Sequence, residues 1–113
     1  MKQWDIYLAE LHTYENSHIQ NGYRPVIIVS NNVMNASSEI VTVVPLTTHM
    51  KKTWFPTHVL LQSRVLNKPG MALCEQVMPL DKFQLHLYIG NVCEESERTA
   101  LQNALLSQFD LAA

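Results

Sequence analysis

The chain has 113 residues, of which 47% are hydrophobic and 16% are charged. This composition is typical of a globular domain and excludes a disordered or collagen-like chain, and no apolar run is long enough to span a bilayer. The net charge of −2 argues against tight nonspecific binding to duplex DNA, because that mode depends on neutralising phosphates. The acidity lies mainly in the tail: residues 1–82 balance at +1, from seven Lys/Arg against six Asp/Glu, and residues 83–113 at −3, from one against four.

The two cysteines indicate a reducing compartment rather than a metal site. Cys74 and Cys93 are not in a Cys-x-x-Cys spacing, and no nearby histidine completes a zinc pattern. The N-terminal residues lack the apolar segment of a signal peptide. We therefore expect a cytoplasmic protein with reduced thiols, without a metal or other cofactor and without a membrane partner.

Short strands separated by turns follow one another along most of the chain. Apolar patterns predict six strands, over residues 4–11, 24–30, 40–46, 57–61, 71–79 and 85–92. Polar, turn-rich stretches predict loops at 12–22, 31–38 and 49–55. Pro45 predicts an edge or a bulge near the end of the third strand. Recurring turns without crossover helices predict an antiparallel barrel.

The C-terminal residues change to helical periodicity. Glu94, Glu95 and Glu97 suit a helix N-terminus, where the helix dipole favours negative charge. One mainly apolar stripe then recurs at helical spacing, and it consists of Leu101, Ala104, Leu105, Gln108 and Phe109. We expect this helix to cap the barrel, which makes the fold mainly β with a C-terminal helix, in a single domain over residues 1–113.

Polar residues at the ends of two apolar strands are the strongest functional signal. Arg24 stands at the start of the second predicted strand, and Thr47 follows the third. A guanidinium group offers a planar fork of donors suited to phosphate, and a neighbouring hydroxyl would complete an anion pocket. In RNA cleavage, such donors would stabilise the phosphate as charge builds on it. The alternative is that Arg24 pairs with an acidic neighbour and Thr47 closes a turn.

Four further side chains suit the same chemistry. His18 carries an imidazole that would shuttle a proton, unless it is merely a solvated loop residue. Glu75 would act as a base, unless it satisfies backbone groups or pairs with Arg24. Lys51 and Lys52, close to Trp54, form a strip suited to single-stranded nucleic acid, unless they are only a solvated loop.

Short motifs occur in a consistent order along nearly the whole chain. They are Trp-Asp-Ile-Tyr-Leu-Ala-Glu-Leu at 4–11, Tyr-Arg-Pro-Val-Ile-Ile-Val-Ser-Asn-Asn at 23–32, Val-Pro-Leu-Thr-Thr at 44–48, Pro-Thr-His-Val at 56–59, Cys-Glu-Gln-Val at 74–77 with Leu-Asp at 80–81, and Ile-Gly at 89–90. In this order they resemble the MazF/PemK family of toxin endoribonucleases from bacterial toxin–antitoxin pairs. One such motif is weak, whereas the first five of these in sequence are specific.

The resemblance implies an SH3-like barrel of the MazF/CcdB type and a homodimer. It also implies metal-independent, sequence-specific cleavage of single-stranded RNA that leaves a 2′,3′-cyclic phosphate and a 5′-hydroxyl, and a cognate antitoxin protein as partner. Arg24 and Thr47 match the family's catalytic positions, and Glu75 matches an acidic position proposed as a base in some members. Ser17 and His18 fall in the family's flexible loop, and one of them would carry the catalytic role of that loop. The resemblance adds Gln20 and Gln76 to Lys51 and Lys52 as the residues expected to contact RNA.

The chain also departs from the family pattern. Trp4 replaces a glycine before Asp5, Asn16 replaces the loop glycine, and the loop is one residue longer with no glutamate after Ser17. Leu73 stands where some members carry a second catalytic arginine, which disfavours an arginine–acid mechanism at Glu75.

Two alternative functions therefore stay open. One is a CcdB-like, non-enzymatic toxin that binds DNA gyrase, because fold alone does not set function. The other is a catalytically decayed homologue that binds an antitoxin. Tyr14 and Trp54 are candidates for stacking on RNA bases, or equally for the rim of a dimer interface.

Overall fold

The computed structural model describes residues 1–62 and 66–111. The strands are β1 (Asp5–Leu11), β2 (Gly22–Ile28), β3 (Ile40–Thr47), β4 (His58–Leu61), β5 (Gly70–Leu73), β6 (Met78–Asp81) and β7 (Leu85–Asn91). The helices are α1 (Asn32–Ser37) and α2 (Glu95–Gln108), and single 3₁₀ turns cover Cys74–Gln76 and Lys82–Gln84. The predicted mainly β fold with a C-terminal helix is confirmed.

All the strand pairings are antiparallel, in the order β4-β5-β3-β2-β1-β7, with β6 also pairing with β3. The strands β4 and β7 stand at the two ends of this path, so within residues 1–62 and 66–111 the sheet is not closed into a fully paired barrel. One edge of β3 has two partners: Ile40–Val43 pair with β6, and Leu46 and Thr47 pair with β5. The sheet therefore divides along β3.

The segment 71–79, predicted as one strand, is two strands. The 3₁₀ turn at Cys74–Gln76 separates β5 from β6 and redirects the chain. Pro45 lies in β3, which is a central strand rather than an edge, and pairs with Val26 of β2. On the opposite edge of β3 it falls between the residues paired with β6 and those paired with β5, where a missing N–H leaves no ladder bond unmade.

A short helix replaces the loop predicted at 31–38. The side chain of Asn31 accepts a hydrogen bond from the backbone N–H of Met34 at 2.9 Å, which caps the first turn of α1. Asparagine is among the best N-cap residues because it satisfies an otherwise unpaired helix donor. The turn-forming residues at 31–32 therefore start a helix rather than a loop.

The core divides into two clusters of buried apolar side chains. One lies between the sheet and α2, and contains Ile6, Ile27, Val44 and the helix residues Leu101 and Ala104. The other is formed by buried side chains of β1, β2, β3 and β6. The predicted stripe of α2 is buried as expected at Leu101 and Ala104, whereas Phe109 follows the helix and is 56% exposed. Neither helix has the length and apolar character needed to cross a bilayer.

Candidate functional site

A cleft of about 550 Å³ opens where the ends of β2, β3 and β5 meet the loops after β1 and β3. We call it the Arg24–Thr47 cleft. It is lined by eight of the nine predicted site residues: His18, Gln20, Arg24, Thr47, Lys51, Lys52, Glu75 and Gln76. Residues that lie up to 58 positions apart in sequence thus share one surface.

Arg24 lines this cleft, and most of its donors have no partner among the described residues. It lies on β2, paired with Ala9 of β1, and its side chain is exposed. Its Nε donates to the carbonyl oxygen of Asn21 at 3.1 Å, and within the described part of the chain it forms no salt bridge. The two terminal nitrogens of the guanidinium group therefore remain available to an anion. Pairing with an acidic neighbour, the alternative drawn from the sequence, does not occur among these residues.

Thr47 ends β3 at the floor of the cleft and is only 8% exposed. Its Oγ1 accepts a hydrogen bond from the backbone N–H of His49 at 3.1 Å. This contact uses an oxygen lone pair and leaves the hydroxyl proton for another acceptor. Thr47 thus closes a turn, as the alternative interpretation held, and can still donate to a ligand.

The loop between β1 and β2 is tied across the cleft by one hydrogen bond. The backbone N–H of Gln20 donates to Oε1 of Gln76 at 2.8 Å. His18 lines the cleft, whereas Ser17 does not, and the Oγ of Ser17 accepts from the N–H of Ile19 at 3.1 Å. Ser17 is therefore the one predicted site residue that the structure leaves outside the cleft lining.

Glu75 is held by two side chains that the sequence did not assign to the site. It lies in the 3₁₀ turn between β5 and β6. Oε1 accepts from the hydroxyl of Thr57 at 3.2 Å, and Oε2 lies 2.7 Å from Nε2 of His58. Glu75 therefore pairs with His58, and the alternative interpretation, in which Glu75 pairs with Arg24, does not apply. The strand register brings His58 to Glu75, since His58 pairs with Leu73 on β5, two residues before Glu75, and no local sequence pattern indicates this pairing.

The loop after β3 carries the two lysines and the most exposed aromatic of this region. Lys52 has a left-handed backbone conformation, with φ of 51°, and its Nζ lies 5.1 Å from the centre of the Phe55 ring. Trp54 is 75% exposed and meets the Phe55 ring edge-on at 4.7 Å. An exposed aromatic beside cations is the arrangement expected of a surface that stacks on unpaired bases.

Cys74, next to Glu75, is not a nucleophile of this cleft. Its side chain is buried, and that burial, followed by the negative charge of Glu75, raises the pKa of the thiol to about 12. The reactive form of cysteine is the thiolate, which is then almost absent at neutral pH. Across residues 1–62 and 66–111, no three His, Cys, Asp or Glu side chains cluster in a way that would hold a metal ion.

Comparison with known proteins places this architecture in a family. A family model described as the PemK-like, MazF-like toxin of type II toxin–antitoxin systems matches residues 2–109. The chain belongs to this family. It is 34% identical to "Endoribonuclease MazF" of Staphylococcus epidermidis, over 97% of this chain and 96% of the relative.

Solved structures of toxins agree with this assignment. An endoribonuclease in complex with its cognate antitoxin, from Mycobacterial species, superposes with a TM-score of 0.83 at 25% identity, covering 100% of this chain and 98% of that chain. The Mycobacterium tuberculosis toxin MazF-mt6 superposes with a TM-score of 0.78 at 28% identity, covering 96% and 99%. The resemblance drawn from the sequence motifs is confirmed at the level of the family.

Two departures from the family pattern have a common backbone explanation. Trp4 and Asn16 stand where the family pattern has glycine, and both have positive φ, of 75° and 59°. Glycine adopts this region without steric penalty, asparagine tolerates it, and a bulky residue such as tryptophan is strained there. Both positions thus have a backbone conformation that glycine adopts readily.

Proposed function

We propose that the protein is the endoribonuclease toxin of a type II toxin–antitoxin pair, and that the Arg24–Thr47 cleft cleaves single-stranded RNA. The observation that carries the proposal is that the terminal guanidinium nitrogens of Arg24 and the hydroxyl proton of Thr47, all without partners among the described residues, line the same cleft. Two preorganised donors of this kind suit a phosphate whose charge increases during reaction.

The reaction we propose is transesterification within the RNA strand. The 2′-oxygen forms a bond to phosphorus while the bond from phosphorus to the 5′-oxygen breaks, and the products are a 2′,3′-cyclic phosphate and a 5′-hydroxyl. Arg24 and Thr47 bind the non-bridging oxygens. Glu75 and His18, both at the cleft, are the candidates to accept the proton of the 2′-hydroxyl and to return one to the 5′-oxygen. RNA supplies its own nucleophile, so this route needs no metal.

RNA binding is assigned to the polar rim of the same cleft. Lys51 and Lys52 are exposed cations suited to the phosphates that flank the cleaved bond. Gln20 and Gln76 would hydrogen-bond the edges of unpaired bases, since the Nε2 of Gln76 has no partner among the described residues. Ser17, outside the cleft lining, would reach a substrate only if the loop moved.

The wider assignment follows from the relatives. The mycobacterial endoribonuclease is described in complex with its cognate antitoxin, and we propose that this toxin likewise binds a cognate antitoxin. We further propose that residues 1–113 are one toxin domain, that it acts as a homodimer, and that it works in the cytoplasm, where its RNA substrate lies.

The decisive experiment is cleavage of a long single-stranded RNA by the purified protein in excess EDTA, beside the Arg24→Ala variant. Discrete fragments from the wild type, with activity at least about 10²-fold lower in Arg24→Ala, would support the proposal and map the recognised sequence. Intact RNA with both proteins would refute it. Growth arrest on expression would then point to the gyrase-binding alternative, and its absence to a decayed toxin.

A further inference from the structure

We propose that His58 is a positioning residue of the Arg24–Thr47 cleft: it supplies a proton that neutralises Glu75, and it holds Lys52 in place. This inference rests on the proposed function, because it concerns how the cleft accepts an RNA phosphate. His58 is the first residue of β4 and lines the cleft from behind Glu75. Its side chain is 7% exposed, against 32% for that of Glu75, so the carboxyl group rather than the imidazole faces the substrate.

The contacts of the imidazole ring determine how many protons it carries. Nδ1 lies 2.9 Å from the carbonyl oxygen of Lys52, which can only accept, so Nδ1 is the donor. Nε2 lies 2.7 Å from Oε2 of Glu75. Two unprotonated atoms would repel each other at that distance, and the contact must therefore contain a further proton, on the ring or on the carboxyl group. The His58–Glu75 pair is then neutral as a unit.

A neutral pair matters because of what else lines the cleft. An unneutralised carboxylate at Glu75 would repel each phosphate that Arg24 and the two lysines attract. Neutralisation by His58 allows a carboxyl group to stand at an anion-binding surface. Thr57 bonds the other carboxyl oxygen but is neutral, so of the two side chains that hold Glu75 only His58 can carry a proton that balances its charge.

The second contact of His58 acts on the lysine loop. The carbonyl oxygen of Lys52 accepts from Nδ1 of His58 and also from the backbone N–H of Phe55, at 3.0 Å. The rings of Phe55 and His58 lie 5.1 Å apart. A non-glycine residue with positive φ, as at Lys52, persists where the surroundings fix it. These contacts fix it and so aim the loop cations at the cleft.

Two amide substitutions separate the two contacts. In His58→Asn the amide nitrogen can replace Nδ1 and keep the bond to Lys52, whereas the proton shared between His58 and Glu75 is lost. In His58→Gln the amide nitrogen can replace Nε2, so the bond to Glu75 stays without its charge and the bond to Lys52 is lost. Each variant is made alone and with Glu75→Gln. Binding is measured by fluorescence anisotropy with a single-stranded RNA that carries a 2′-deoxy sugar at the mapped cleavage site.

We expect His58→Asn to weaken binding on the order of tenfold, and Glu75→Gln to restore it to within about threefold, because the repelling carboxylate is gone. A merely structural histidine would give the same loss with either residue at position 75, and that result would overturn the proposal. So would wild-type affinity in His58→Asn. If that variant does not fold, the His58→Gln cycle tests the same dependence on Glu75, with incomplete restoration because the Lys52 contact is missing.

An independent measurement needs no RNA. The ¹⁵N chemical shifts of the His58 ring in the free protein report which nitrogen carries a proton, and we expect a protonated Nδ1. An unprotonated Nδ1 would refute the proton count. Failure of the wild type to cleave RNA would refute the proposed function instead, and loss of cleavage in Arg24→Ala with unchanged binding in His58→Asn would refute only the role of His58.

Discussion

Replacement of Thr47 by valine tests the hydroxyl separately from the fold. Valine keeps the branched shape of threonine and removes only the hydroxyl group, at a position that is 8% exposed. The substitution also removes the acceptor for the N–H of His49, which now bonds Oγ1 at 3.1 Å. His49 is exposed, so water can replace that acceptor, and we expect the free energy of unfolding to change by no more than about 1 kcal/mol.

The expected effect on catalysis is much larger. Loss of one preorganised donor to a developing oxyanion costs about 3–4 kcal/mol of transition-state stabilisation, which corresponds to about 10²–10³ in rate. The hydrogen bond strengthens as charge builds on the phosphate, so the loss should fall on kcat more than on KM. Thr47→Ser is the matched control, because it keeps the hydroxyl and deletes one methyl group. Its stability cost is about 1 kcal/mol, similar to that of valine.

The assay is single-turnover cleavage of the mapped RNA, with thermal unfolding of each variant alongside it. We expect Thr47→Ser to stay within about threefold of the wild-type rate and Thr47→Val to fall about 10²–10³-fold. Equal losses in the two variants would mean that the packing of the methyl group matters rather than the hydroxyl. Undiminished cleavage by Thr47→Val would reduce Thr47 to a turn residue.

Three further predictions concern binding, alkaline stability and backbone strain. Lys51→Gln should reduce the slope of log Kobs against log salt concentration by about 0.7, as measured by titrations of single-stranded RNA, because one phosphate contact is lost. The pKa of Cys74, about 12 when folded against an ordinary value of 9.0, means that the unfolded chain releases this proton first as pH rises. The free energy of unfolding should therefore fall as pH rises from 9.0 to about 12, and at pH 10 it should be about 1.4 kcal/mol lower than at neutral pH. Denaturant titrations of Cys74→Ala should not show this loss. Trp4→Gly should be more stable than Trp4→Ala by about 1 kcal/mol in the same titrations, the reverse of the usual order, because φ is 75° there.

Arg24 and Thr47 could be identified from the sequence because strand ends are local signals. Each stands at one end of an apolar run. In neighbouring antiparallel strands the start of one strand lies beside the end of the other. The observed register does this, pairing Val26 with Pro45, two residues inward from each. The same local reasoning located the acidic start and the buried stripe of α2.

His58 could not be assigned in this way, because its role depends on the turn that separates β5 from β6. A continuous strand over 71–79, as the sequence predicted, would carry Glu75 farther along the sheet and away from β4. The 3₁₀ turn at Cys74–Gln76 keeps it beside the first residue of β4 instead. This three-residue turn thus places Glu75 beside His58. Apolar periodicity carries no information about such a break.

The unusual loop between β1 and β2 is the feature that left a decayed toxin open, and its contacts argue against decay. A longer loop without its glycine would lose function if it could not return to the cleft. Asn16 takes the left-handed conformation that glycine would take, with φ of 59°, and the N–H of Gln20 reaches the side chain of Gln76. His18 and Gln20 consequently line the cleft despite the changed sequence. The altered loop therefore gives no structural reason to infer a decayed toxin.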